Sequence, residues 1–181
     1  MAEKFKVSFP SQASTDIERE DPRLNRAAFV EMLLLNPQQV KAIQPRSQRS
    51  HYRAAINWMM LHQSSADASN LVKVQGFLEA FHHFCEVEDW GRARLIFQLE
   101  SPPLLPDTLY RQLNVWGDYF SSIELCCQML GKFDDEFDAI VLNAWGNSCN
   151  ELARYEEAIV LYERALESAQ RIGNDEFMAA H

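Results

Sequence analysis

The stretch His82-His83-Phe84-Cys85 brings two imidazoles and a thiol within four residues. On a helix, His82 and Cys85 are three apart and share a face. They could supply two ligands to a zinc-like ion, or an imidazole and a thiol for nucleophilic chemistry. A metal would need a third ligand from elsewhere in the chain. No H-E-x-x-H, G-x-S-x-G, C-x-x-C or Gly-rich phosphate loop accompanies the cluster. The remaining cysteines, Cys126, Cys127 and Cys149, lie in apolar helical stretches at spacings that fit neither a zinc site nor a disulfide framework. Buried free thiols are expected. The chain reads as non-catalytic, with no cofactor and no metal; His82 goes to a binding surface and His83 to a position near solvent.

Elements that position such residues follow from composition. With 181 residues, 47% of them hydrophobic, the chain can bury one substantial core, and only 6 Gly and 7 Pro favour long regular elements. No apolar run approaches the roughly 18 residues of a membrane span, and the first 20 residues carry no secretory pattern. A cytoplasmic protein is expected, away from membranes. Residues 1–60 carry 9 Lys/Arg against 6 Asp/Glu, whereas residues 61–181 carry 8 against 20. So acidic a body repels phosphate backbones, which argues against nucleic acid as a partner. No acidic residue lies between Glu31 and Asp67, while Lys41, Arg46, Arg49 and Arg53 do, forming a basic strip suited to an acidic neighbour or partner.

The clearest pattern runs from Leu142 to Gly173. Leu142, Trp145, Gly146, Cys149 and Leu152 fall on one helical face, and Ala158, Tyr162, Ala165 and Leu166 on another. Small Gly146 and Ala158 allow two antiparallel helices to approach closely, with Trp145 and Tyr162 filling the space beside them. This stretch resembles the tetratricopeptide repeat family, whose unit of about 34 residues reads W-x2-L-G-x2-Y, then A-x3-F, then Ala and Pro. Here it reads Leu142-x2-Trp145-Gly146-x2-Cys149, then Ala158-x3-Tyr162, then Ala165, with Gln170 near the expected proline.

Weaker copies lie upstream. Trp90-x2-Ala93-x3-Phe97 matches Tyr155-x2-Ala158-x3-Tyr162, and Tyr119-x2-Ser122-x3-Cys126 matches both. The anchors Ala93, Ser122 and Ala158 are 29 and 36 residues apart, and define units near 74–103, 104–133 and 139–173. Trp-Gly, at 90–91, 116–117 and 145–146, then marks the start of a second helix, the end of a first and the middle of a first. Its spacing is therefore not the repeat. Linkers are expected at the proline-rich 101–107, at 131–138 and at 171–175, where Gly173 should stop the last helix.

The expected fold is all-α, a helical-hairpin array (an α-solenoid) with an N-terminal helical cap. Residues 1–20 form a loose segment, 21–69 the cap or a degenerate repeat, and 70–181 three hairpins ending in an incomplete repeat. In the cap, one helix opens at Asp21-Pro22 and stops at Asn36-Pro37. A second spans 49–63 with Tyr52, Ile56, Met59 and Met60 inward.

Residues 70–175 also resemble the repeat arrays of bacterial signalling ATPases of the STAND class. The chain lacks the phosphate-binding loop of those enzymes, so the resemblance implies their sensor role and not ATP hydrolysis. Repeats of this kind bind ligands on the first helices of their hairpins. That implies a concave row of His82, Arg111 and Asn147, a second row of Cys85, Asn114 and Asn150, and Asn143 one turn earlier. Asparagine both donates and accepts, as an extended peptide backbone requires, and Arg111 suits a carboxylate. The expected function is binding of a protein or peptide. The alternative is oligomerisation through the unfinished last repeat, or a regulatory element working with a STAND-type ATPase.

Overall fold

The computed structural model describes residue 33, residues 37–101 and residues 104–179, with the side chains of the last helix described as far as Gly173. The segment 1–20 and most of the helix expected after Asp21 lie outside the described residues.

Among the described residues eight α-helices follow one another: α1 (Pro37–Ala42), α2 (Arg46–Leu61), α3 (Asn70–Glu86), α4 (Trp90–Phe97), α5 (Leu109–Val115), α6 (Tyr119–Met129), α7 (Asp135–Glu151) and α8 (Tyr155–Ala179). No strand occurs among the described residues, so the protein is all-helical. Each helix from α2 onward packs on its successor in the chain; α4 also touches α6, and α5 touches α7.

One turn closes three helix pairs. Residues Glu88, Gly117 and Ala153 take positive φ, at 56°, 80° and 57°. In each turn that residue's N–H donates to the carbonyl three positions back, and the next N–H donates to the carbonyl five back. The latter bonds are Asp89 to Phe84 (2.9 Å), Asp118 to Leu113 (2.9 Å) and Arg154 to Cys149 (2.8 Å). This double closure satisfies carbonyls that the first helix of each pair would otherwise leave unpaired. Asp89 and Asp118 then cap the second helix, accepting from the N–H of Arg92 and Ser121. Ala93, Ser122 and Ala158, five residues beyond each left-handed residue, are all buried.

Side-chain size sets the spacing within the pairs. A Cβ on Gly146 would lie 2.6 Å from Cε1 of Tyr162, so α8 seats its aromatic ring where α7 has no side chain. At Gly76 the obstacle would be backbone, with the Trp58 carbonyl 2.7 Å away, which lets α2 lie close on α3. Phe81, Phe84, Phe97 and Phe137 are fully buried, each contributing about 2–3 kcal/mol of apolar transfer. Phe97 of α4 stacks on Tyr110 of α5 with centroids 4.4 Å apart, and meets Phe137 of α7 edge-on.

Several expected boundaries move. Pro37 begins α1 instead of ending a helix, as proline can at a first helical position. The second cap helix starts at Arg46 and ends at Leu61. Met59 is buried and Tyr52 and Ile56 pack on the core, but Met60 is exposed. The third pair starts at Asp135, capped by the Asp134 carboxylate accepting from Phe137 N–H at 2.9 Å. Gly173 does not stop α8, which runs on to Ala179. A helical glycine costs only about 1 kcal/mol, and among the described residues no atom lies within 4 Å of where a Cβ on Gly173 would stand.

Candidate partner-binding surface

Counting back six residues from each left-handed turn residue reaches His82, Arg111 and Asn147, on α3, α5 and α7. This row is open on every pair: the side chains of His82 and Arg111 are 35% and 63% accessible, and Asn147 is exposed. His82 Nε2 lies 3.8 Å from Glu124 of α6, and Arg111 lies 3.6 Å from Asp107. Contacts this exposed hold neither side chain firmly, so both could exchange them for a ligand. The Tyr162 hydroxyl donates to Asn147 Oδ1 at 2.8 Å and orients that amide. Asn143 and Asn150 are exposed on the same helix.

The row three residues before each turn behaves differently. Cys85 is buried, and burial pushes its thiol up to about 12. Asn114 is turned into the protein. Its amide donates to the Tyr110 carbonyl (3.3 Å) and to Ser122 Oγ (3.0 Å), while its oxygen accepts from the Ser148 hydroxyl at 2.7 Å. Ser122 in turn donates to the Tyr110 carbonyl at 3.3 Å. With Ser122 and Ser148 fully buried and Asn114 half-buried, these bonds tie α5, α6 and α7 together, and the buried hydroxyls left unpaired would cost more than the bonds contribute. Asn114 thus serves the junction between pairs, and only Asn150 of this row faces outward. The sequence hint was Ser122 at an anchor position held by alanine in the other two pairs.

No family model matches the chain. Neither a curated protein nor a solved structure matches it.

The ligating residues that opened the sequence disperse. Cys85 points into the core and His82 toward Glu124. His83 is half-buried, its Nδ1 3.2 Å from Nδ1 of His51 on α2. One imidazole donates to the other, so only one of these two nitrogens carries a proton. Burial, then the neighbouring His51, holds His83 below its ordinary value. The sequence could not place this pair, whose members are 32 residues apart. Among the described residues, no group of three His, Cys, Asp or Glu side chains could hold a metal ion. Cys85, Cys126 and Cys149 are buried free thiols, but Cys127 is exposed. No described helix is long and apolar enough to cross a membrane.

Proposed function

We propose that this chain is a non-catalytic binding module, an α-solenoid of tetratricopeptide type that holds a protein or extended peptide on its concave face. The observation that carries the reading is the row of His82, Arg111 and Asn147. Three helix pairs closed by the same turn present a polar side chain to solvent at the same place, and a periodic row of donors and acceptors suits a periodic peptide backbone. Asn143 and Asn150 extend the surface along α7, whereas Asn114 acts only by keeping neighbouring pairs in register. The free cysteines suit a reducing compartment such as the cytoplasm.

A random-sequence peptide library displayed on phage, selected against the protein, tests this. Selected peptides should lose at least tenfold in affinity for the Arg111→Ala/Asn147→Ala protein. Selection of peptides whose binding those substitutions leave unchanged would overturn the assignment of the surface. The second reading, an assembly or sensor element beside a STAND-type ATPase, is favoured by apolar residues left exposed along α8.

A further inference from the structure

Helices α6 and α8 are second members of successive pairs, and their positions correspond through the shared turn. Ile123 of α6 and Leu130, the extended residue just past its end, stand 36 residues before Ile159 and Leu166 of α8. Ile123 and Leu130 are half-buried against the apolar cluster of the third pair, formed by Leu142, Cys149, Ala158 and Leu161. Nothing described lies on the corresponding residues of α8: Ile159 is 55% exposed and Leu166 59%, with Tyr155 at 60% one turn before. Asn150 is exposed where its counterpart Asn114 is covered. Among the described residues, the end of the third pair therefore presents an apolar face like the one that α7 covers on the second.

A second apolar patch lies at the other end of the packing order. Met60 and Leu61 close α2 and Leu71 and Val72 open α3; all four are exposed, Leu61 at 69%. His62 Nε2 meets the Val72 carbonyl at 2.7 Å and joins the two groups into one surface. Beside it is a shallow, open depression lined by Ala54, Asn57, Trp58, Leu61, His62 and Gln63. The charges of helices α2 and α8 are opposite, although Asp67 lies in the turn between Leu61 and Leu71. Helix α2 carries Arg46, Arg49 and Arg53 and no acidic residue, whereas α8 carries Glu156, Glu157, Glu163 and Glu167 against Arg164 and Arg171 up to Gly173.

We propose that these two surfaces bind each other between copies of this chain, head to tail. The apolar stripe of α8 in one copy docks on the Met60–Leu61–Val72 patch of the next. Tyr155, Ile159 and Leu166 stand out from one surface while the other offers a depression, and the flanking charges attract. An isologous contact of α8 with α8 would instead bring two acidic helices together. A heterologous contact propagates, so the product is a ring or an open chain. This does not depend on which ligand occupies the concave face.

Solution mass measured by light scattering from about 5 to 500 μM, at low and high salt, supplies the test. Two variants separate the ends: Ile159→Gln/Leu166→Gln at the tail and Met60→Gln/Leu61→Gln at the head. All four side chains are exposed, so both variants should keep the helical circular dichroism of the parent. The parent should grow beyond a dimer as concentration rises, and less so at high salt. Each variant alone should stay monomeric, while their mixture forms a one-to-one complex, because one intact head and one intact tail remain. A parent that is monomeric throughout would overturn the proposal. So would loss of assembly in the tail variant but not the head variant, which marks an isologous α8 contact, and so would assembly that survives in both.

Discussion

Helices α6 and α8 follow the same turn, and in both pairs isoleucine and leucine stand six and thirteen residues beyond its left-handed residue, the leucine just past the end of α6 but within α8. One pair of side chains is packed and the other is exposed. Against α6 lies α7, whose Ser148 reaches across to Asn114 and Ser122 and whose Leu142 and Cys149 help to receive Ile123 and Leu130. Beyond α8 nothing described offers such a partner. Apolar side chains at these positions are thus a property of the sequence, whereas their burial is a property of the neighbour. The difference separates residues that stabilise this chain from residues that remain available for association.

The same substitution at corresponding positions should show the largest contrast. Ile123→Asp with Leu130→Asp should lower unfolding stability by about 3 kcal/mol, since half-buried apolar contacts are lost and two carboxylates face an apolar cluster. Ile159→Asp with Leu166→Asp should change it by less than about 0.5 kcal/mol, as exposed sites usually do. Urea denaturation of both variants in dilute solution measures this, and equal losses would mean that α8 is covered after all.

A smaller effect sharpens the likeness of the turns. Gly117→Ala places a Cβ at φ 80° and should cost about 1 kcal/mol. Ala153→Gly and Glu88→Gly remove a Cβ from the same backbone conformation and should each stabilise by roughly 0.5–1 kcal/mol. Opposite signs in the midpoint of denaturation at the glycine and non-glycine turns are the expected outcome.

The smallest effect tests the junction at the other end, between α2 and α3. His83 is held below its ordinary value by burial and by His51, with His82 acting the same way and Glu79 and Glu86 opposing. The unfolded chain therefore takes up a proton at this residue before the folded one does. The contribution is fully present above the unfolded value and is lost as pH falls from there through the lower folded value. Thermal unfolding between about pH 7.5 and 5 should show a steeper fall for the parent than for His83→Gln.

Much of this was legible in the residues. The small anchors Ala93, Ser122 and Ala158 pointed to the three turns, because a close helix crossing demands a small residue. Gly146 against Tyr162 was legible for the same reason. Within the candidate surface, the side chains of Arg111, Asn147 and His82 are open to solvent, whereas Asn114 is turned into the protein. Its spacing matches that of Asn150, and helical periodicity says which face a residue shares without saying what covers that face. Leu166 and Met60 were expected inward on periodicity and are exposed for that reason. Gly173 was read as a stop because glycine often ends helices, yet it ends one only where a turn or a following element competes with the next hydrogen bond.

Sequence alone determined the helical class, since that depends on backbone conformation and on contacts between segments close in the chain. Tertiary structure alone decided that Asn114 faces Ser148 across 34 residues, that His51 meets His83, and that Ile159 and Leu166 stay open while Ile123 and Leu130 are covered. Those outcomes depend on which surfaces meet between pairs, and a residue's own neighbours in the chain carry no information about what lies across an interface.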